Sequence, residues 1–236
     1  MSQQPFVLEV IACTVADAIE AEKGGADRLE VISHFERGGL TPAMELVRAI
    51  QSAVRLPLRV MLRESDGYQV ASIGEVERLC STARELAALR VDGVVLGFLH
   101  DGKIDIELTR QILESAPTLN ATLHHAFDET IDPIQALTDI RQCGQIDHVL
   151  TSGGPGDWTD KIERLAHYQQ AAGGHPIILV GGGVDAAVIK AIRATTNLAE
   201  FHTGRAARVP ALVNGSVESS RVKELVACIG RALPDN

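Results

Sequence analysis

Short runs of aliphatic and β-branched residues alternate with longer segments of helical periodicity along the whole chain. Each short run bounded by turn residues predicts a strand, and each longer segment predicts a helix. The predicted strands cover residues 6–11, 27–32, 57–63, 93–97, 119–124, 147–150, 176–180 and 199–203. The predicted helices cover residues 15–24, 42–54, 73–90, 105–115, 132–143, 158–172, 185–195 and 219–232. Thr41-Pro42 and Asp132-Pro133 predict helix starts, because each places a capping side chain before a first-turn proline.

This alternation predicts the fold class. Strands separated by helices pair in parallel through right-handed crossovers, and eight units of about 25–30 residues can close the sheet into a ring. We therefore expect an α/β protein, a (β/α)8 TIM barrel in which residues 1–236 form a single domain. An open, doubly wound sheet is the alternative. Irregular segments at residues 33–40, 64–72 and 205–218 follow strands, so they would lie on the face where barrel proteins bind ligands.

Several predicted strands carry charged residues where a buried parallel strand should be apolar. Side chains alternate along a strand, so Arg28 and Glu30 share one face of their strand, as do Glu200 and His202 of theirs. The opposite faces then hold apolar residues that suit contact with helices. An unpaired charge beneath a helix would cost several kcal/mol. We therefore expect the charged side chains to point into the barrel.

The inward charges form two predicted tiers. The lower tier holds Arg28, Arg59 and Glu200, and the upper tier holds Glu9, Glu30, Arg63, His124 and His202. We expect the lower tier to stabilise the barrel and the upper tier to carry function, since acids, an arginine and histidines at strand ends are the groups of acid–base catalysis. Asp128 could cap a helix, orient His124 or bind ligand. Because Asp132 is the more natural cap, Asp128 joins the candidate catalytic residues.

Glycine-rich turns follow the last two predicted strands. Loops at these places in barrels often bind phosphate through backbone N–H groups and a helix N-terminus. The candidate anion-binding residues are Ser152, Gly182, Gly183, Gly204 and Arg205. Asp185, at the start of the next helix, would repel an anion, and glycine-rich turns also serve as plain tight connections. Both interpretations stay open.

Composition narrows the classes of partner. The net charge of −9, without a basic block, argues against nucleic-acid binding and against docking on an anionic membrane. We see no signal peptide and no apolar run near the ~20 residues of a membrane span, so we expect a cytoplasmic protein. The cysteines at positions 13, 80, 143 and 228 are far apart and lack CxxC spacing. This pattern favours reduced thiols over a disulfide framework or a closed zinc site.

These residues together resemble the CutC copper-homeostasis family over most of the chain. The resemblance rests on residues 25–30 (GADRLE), 38–42 (GGLTP), 124–128 (HHAFD), 149–153 (VLTSG) and 200–202 (EFH). It implies a cytoplasmic barrel, often dimeric, that is linked to copper levels and binds copper. It also implies that Glu9, Glu30, Arg63, His124, Asp128 and His202 match family positions at the barrel mouth. The chain departs from the family at His125, where arginine is usual, and in lacking cysteine just after Glu9 and Glu30.

Two functions follow from these patterns. The first is copper binding, with His124 and His202 as candidate metal ligands and copper as the candidate cofactor. The second is an enzyme that performs acid–base chemistry on a small phosphorylated or carboxylated metabolite, since Arg63 would repel a cation but attract an anion. Imidazoles and carboxylates suit Cu(II) or Zn(II), whereas Cu(I) prefers thiolates and thioethers. An interaction role through Leu212 and Val213 is a third, weaker alternative.

Overall fold

The computed structural model describes residues 6–230, and a ring of parallel strands forms its centre. The strands are β1 (Val7–Ala12), β2 (Arg28–Val31), β3 (Leu58–Met61), β4 (Gly93–Leu96), β5 (Asn120–Leu123), β6 (Ile146–Thr151), β7 (Ile177–Val180) and β8 (Glu200–Thr203). Each strand pairs in parallel with the next, and β8 pairs with β1 to close the barrel. The predicted (β/α)8 TIM barrel is confirmed, and the open sheet is wrong.

A helix follows each strand of the ring. The helices are α1 (Val15–Gly24), α2 (Met44–Ala53), α3 (Ile73–Leu89), α4 (Ile106–Glu114), α5 (Pro133–Ile140), α6 (Trp158–Ala172), α7 (Ala186–Thr195) and α8 (Ser219–Ile229). Asp132 caps α5 as predicted, by accepting a hydrogen bond from the backbone of Gln135. Most predicted bounds agree within two residues, and positions 231 and 232 of the last predicted helix lie outside the described residues. No helix within residues 6–230 is long and apolar enough to cross a membrane.

The predicted cap at Thr41 is wrong. Helix α2 begins at Met44 after Ala43, whose side chain makes no capping bond. The Thr41 hydroxyl instead accepts from the backbone N–H of Arg63 at 2.8 Å and donates to the Arg63 carbonyl at 3.0 Å. This pair of bonds ties the loop after β2 to the chain just past β3. Strand β3 was predicted to reach Arg63 but ends at Met61, and the bonds to Thr41 fix Arg63 at the barrel mouth.

Strand alternation places the charges inside the barrel, as predicted. On β2, Leu29 and Val31 pack into the main apolar core between sheet and helices, while Arg28 and Glu30 point inward. The same division separates Phe201, in that core, from its neighbours on β8. A second, smaller apolar cluster lies inside the barrel near its mouth and is formed by Ile11, Ile32, Met61 and Val95, with Cys13 and Phe35 packed against it.

Ion pairs fill the lower part of the barrel. Arg59 donates to both carboxylate oxygens of Asp147 at 2.7 Å each and to Asp92 at 2.7 Å. Arg28 lies 3.4 Å from Glu200, which is also 3.0 Å from His148 Nε2. The predicted lower tier is therefore a satisfied network. Sequence reasoning missed three members of this network, Asp92, Asp147 and His148. Alternation along β6 could have identified His148, because its side chain lies on the side of the strand that faces the barrel axis.

Segments beyond the strand ends build the mouth. A two-stranded hairpin joins Arg208–Val209 to Ser216–Val217, and another joins Leu99–His100 to Lys103–Ile104. Short 3-10 helices cover Phe35–Arg37, His125–Glu129 and Arg205–Ala207. Buried Arg208 anchors the first hairpin, since it donates to the carbonyls of Gly215 and Ile11 and to Asp17.

The lower ion-pair network gives a stability prediction. Replacing Arg59 with methionine removes the bidentate partner of Asp147 and leaves that carboxylate half-buried without its cation. We expect Arg59→Met to lower the free energy of unfolding by about 3 kcal/mol in chemical denaturation, the cost typical of breaking a buried pair. Arg84→Met, on the exposed side of α3, is the matched control and should leave it nearly unchanged. Equal stability of the two variants would contradict a structural role for the network.

Candidate functional site

A cavity of about 540 Å³ opens at the carboxyl ends of the strands. All three irregular segments predicted from the sequence contribute to its lining, through Phe35, Tyr68 and Arg205 among others. Apolar walls come from Ile11, Met61, Leu150 and Val184. The cavity therefore lies where barrel proteins bind their ligands.

Glu30 and His202 form the floor of this cavity, whereas Glu9 lies beneath it. Glu30 and His202 belong to the lining, and both are almost fully buried. Glu9 has no exposed surface; one of its oxygens contacts Arg28 and the other lies 2.8 Å from His202 Nδ1. The residues of the predicted upper tier therefore lie at different depths, with Glu9 below Glu30 and His202. Glu9 reaches the floor from beneath, where it contacts His202.

The pKa values of Glu9, Glu30 and His202 are all shifted from their usual values. Burial alone would raise the pKa of Glu9, but Arg28 and His202 hold it well below its usual value. Burial raises the pKa of Glu30, and the nearby His202, with its Nε2 3.7 Å from Glu30, offsets only part of that effect. Burial alone would lower the pKa of His202, but the negative charges of Glu30 and Glu9 outweigh it and raise that pKa. His202 therefore holds its proton more tightly than an ordinary histidine does.

Glu9, Glu30 and His202 also form a potential cation site. One ligand atom from each lies within 4.8 Å of the others, and His124 is not a member of this cluster. The Glu30 Oε1 atom is buried and has no hydrogen-bond partner among residues 6–230. A buried carboxylate oxygen without a partner is costly unless a ligand, ion or water satisfies it. Glu30 Oε1 is therefore the atom of the floor best placed to bind a ligand or ion.

His124 lines the cavity wall as a neutral imidazole. Its Nδ1 accepts a hydrogen bond from the backbone N–H of Ala126 at 3.2 Å, which fixes the proton on Nε2. Burial, together with the positive charge of Arg63, lowers the pKa of His124 to about 3. Nε2 is buried and has no partner within the described residues, and the ring of Tyr68 lies 5.1 Å away between centroids. His124 thus presents an unused N–H donor.

Asp128 does not face the cavity and does not orient His124. It accepts hydrogen bonds from the Thr151 hydroxyl, from the backbone N–H and hydroxyl of Ser152 at 2.9 Å each, and lies 2.9 Å from His125 Nδ1. The imidazole that it orients is His125, which lines the cavity. Sequence reasoning singled out His125 only as a departure from a family pattern. The signal that marks it is a histidine and an aspartate three residues apart in one short helix.

The predicted anion-binding residues separate into two groups. Gly182, Gly183, Gly204 and Arg205 line the cavity. Ser152 does not; its hydroxyl holds Asp128, and its Cβ would lie 2.5 Å from a Cβ on Gly182, whose φ is +75°. Only glycine fits at position 182, because a side chain would meet Ser152 in a backbone conformation that L residues avoid. Asp185 also lines the cavity and caps α7 through the backbone N–H of Val188.

Three arginines lie around the cavity. Arg63 was predicted, and its Nε donates to the Ser65 carbonyl at 2.9 Å while its guanidinium lies 5.4 Å from the Tyr68 ring centre. Arg205, predicted as an anion ligand, is exposed and makes no side-chain bond within the described residues. Arg37, which was missed, pairs with Asp66 at 3.0 Å. Exposed guanidinium groups around a concave site attract anionic ligands.

The matching family model and two similar relatives carry the same family name. The family model described as "CutC family" matches residues 6–207. A family protein CutC from Xanthomonas campestris pv. campestris is 36% identical over 208 residues, which cover 88% of this chain and 86% of the relative. The human relative named copper homeostasis protein cutC homolog is 33% identical over 198 residues, covering 84% of this chain and 72% of the relative.

Solved structures confirm the architecture. The putative copper homeostasis protein CutC from Streptococcus agalactiae superimposes with a TM-score of 0.78 at 24% identity, covering 84% of this chain and 98% of that one. Phosphoribosyl anthranilate isomerase from Thermococcus kodakaraensis superimposes with a TM-score of 0.63 at 10% identity, covering 96% of this chain and 100% of that one. At these identities the likeness shows the shared barrel fold alone.

The burial of His124 gives a pH prediction. An unfolded histidine takes up a proton as the pH falls below about 6.5, whereas His124 in the folded protein does so only near 3. We therefore expect the His124 ring to stay neutral at pH 5, with the proton on Nε2, in ¹⁵N NMR spectra of labelled protein. Because only the unfolded chain gains that proton, His124 should lower stability as the pH falls from 6.5 toward 3. A His124 ring that is already protonated at pH 5 would contradict this environment.

Proposed function

The chain belongs to the CutC family, and we propose that it takes part in copper homeostasis by binding divalent copper at Glu9, Glu30 and His202. The buried, unpartnered Glu30 Oε1 supports this site most directly. The three residues offer ligand atoms within 4.8 Å of one another at the floor of the cavity. This set replaces the pair His124 and His202 that the sequence suggested, because His124 lies outside the cluster.

The donor atoms fit Cu(II) better than Cu(I). Imidazole and carboxylate ligands suit divalent copper, whereas Cu(I) selects thiolates and thioethers. Burial raises the pKa of the Cys13 thiol to about 11, and its sulfur contacts Arg208, so it offers no thiolate near neutral pH. Met61 supplies one thioether to the lining. The charge of Glu9 is already balanced by Arg28, which leaves Glu30 as the acid that most gains from a bound cation.

Copper binding at this floor competes with protons. A metal ion needs His202 neutral and Glu30 ionised, yet the pKa of each is raised in the folded protein. Both groups hold their protons longer than usual as the pH rises, so the affinity for copper increases with pH. The proton on His202 between the two acids is the one that an incoming cation displaces.

A copper-retention experiment tests this function. We expect the metal-free full chain, loaded with Cu(II) and passed through gel filtration, to retain copper measured by mass spectrometry, and to retain more at pH 8 than at pH 6. Glu30→Gln and His202→Gln should abolish this retention, because each removes a ligand atom. His167→Gln, on the surface of α6, is the control for copper held by exposed histidines. Equal retention by all four proteins would exclude the site.

A second candidate function is the binding of a small anionic molecule in the cavity, as for an acid–base enzyme. The observation that favours it is the set of three arginines, at positions 37, 63 and 205, around a space of about 540 Å³. Arg205 has no side-chain partner within the described residues, which leaves its guanidinium available. The neutral Nε2–H of His124 adds a hydrogen-bond donor suited to an oxygen acceptor.

Anion binding can be tested separately with pyruvate as a probe. We expect pyruvate to give saturation-transfer NMR signals with the full chain, and Arg205→Gln to weaken its binding about 10-fold, the effect of losing one charge-assisted hydrogen bond. Arg84→Gln, far from the cavity on α3, is the matched control. Indistinguishable affinities of the two variants would remove Arg205 from the site, and absence of any signal with the unmodified chain would reject this second function.

The remaining properties come from the family resemblance and from composition. Homodimer formation and a cytoplasmic location stay predictions, as do the expected lack of nucleic-acid and membrane partners. A small molecule or a metal ion is the partner that the cavity suits by its size and polarity.

A further inference from the structure

Asp128 fixes the tautomer of His125. The carboxylate of Asp128 accepts from Thr151 and twice from Ser152, and it lies 2.9 Å from His125 Nδ1. Burial alone would raise the pKa of Asp128, but the hydrogen bonds from His125, Thr151 and Ser152 outweigh it and lower that pKa. An ionised carboxylate only accepts, so Nδ1 of His125 is the donor, and in the neutral ring Nε2 carries the lone pair.

That lone pair faces the cavity. His125 belongs to the lining, its side chain is 35% exposed, and Nε2 has no hydrogen-bond partner within residues 6–230. The ring edge lies beside Gly182, where an added Cβ would be 3.5 Å from His125 Cε1. A carboxylate behind an imidazole keeps the ring in one tautomer and stabilises the imidazolium that forms when the outer nitrogen takes a proton.

The neighbouring residue offers the opposite group. His124 has a neutral, buried Nε2–H without a partner within the described chain, while the neutral ring of His125 offers the lone pair of Nε2, and both residues line the same cavity. A base beside a hydrogen-bond donor is the combination needed to remove a proton next to a carbonyl, because the donor stabilises the negative charge that develops on oxygen. Copper binding at the floor uses neither group.

Charges around the cavity select the class of ligand. Arg63 and Arg205 favour an anion. The carboxylate of Asp185 already occupies the N-terminus of α7 and lines the same cavity, so it repels a phosphate dianion from the glycine-rich turn. A carboxylate carries less charge and remains compatible with this surrounding. The ligand chemistry is therefore that of a small carboxylate with an adjacent carbonyl.

We propose that His125, held by Asp128, is the general base that removes a proton from C3 of a small 2-oxo acid whose keto oxygen accepts a hydrogen bond from His124. The C3–H bond breaks and its electron pair forms the C2–C3 double bond. The keto π pair moves to oxygen, and the proton goes to His125 Nε2. Return of a proton to C3 regenerates the 2-oxo acid. This activity rests on the second function proposed above, a cavity that binds a small anion.

Deuterium exchange tests the base. Incubated in D₂O with pyruvate, the full chain should accelerate the loss of the methyl proton NMR signal. His125→Gln should lower the protein-dependent rate by at least about 100-fold, the effect typical of removing a general base. The same variant should still give pyruvate saturation-transfer signals, because the arginines and His124 remain. His100→Gln, whose side chain is 79% exposed on the hairpin before α4, is the matched control and should exchange as the unmodified chain does.

Each outcome has a separate meaning. Exchange that disappears in His125→Gln but not in His100→Gln, with pyruvate still bound, supports the proposal. Pyruvate binding without exchange, or exchange that His125→Gln leaves unchanged, overturns the proposal but leaves the anion site standing. Failure of pyruvate to bind the unmodified chain overturns both.

Discussion

A side chain that points into a closed barrel of this size cannot reach water along most of the barrel's length, so every charge placed there must be met by another. Glu9 shows this requirement most clearly. Its carboxylate contacts Arg28 below and His202 above, and it has no exposed surface. Buried ion pairs of this kind tolerate the loss of one partner poorly. The contacts of Glu9 therefore join the structural lower half of the barrel to the floor of the cavity.

The two halves of the interior differ in how completely their polar atoms are satisfied. In the lower half, Arg59, Asp147 and His148 saturate one another. At the mouth, Glu30 Oε1 and His124 Nε2 are buried without partners among the described residues. Folding gains nothing from such atoms, since each loses its hydration without compensation. Their clustering at the open end is the physical reason to place function there.

The proposed cation and anion sites lie at different depths of one cavity. Glu30 brings a carboxylate to the floor and Glu9 brings another just beneath it, whereas Arg63 and Arg205 bring positive charge to the rim. A cation and an anion can thus be attracted to the same opening without competing for the same atoms. His124 and His125 line the same cavity, and each has its Nδ1 engaged, by the backbone of Ala126 and by Asp128 respectively.

The sequence by itself determined the barrel and the side of each strand that carries charge, because hydrophobic alternation reports directly which side chains face helices and which face the axis. It also placed Glu30, Arg63, His124 and His202 at one end. It did not determine how deep each side chain lies in the barrel. Glu9 lies level with Arg28 and His202 because neighbouring strands are staggered, and the sequence of a single strand does not encode that stagger. The sequence places His125 and Asp128 three residues apart, but only the tertiary structure shows that Thr151 and Ser152 donate to the same carboxylate, because β6 and the loop after it meet this short helix only in the folded barrel.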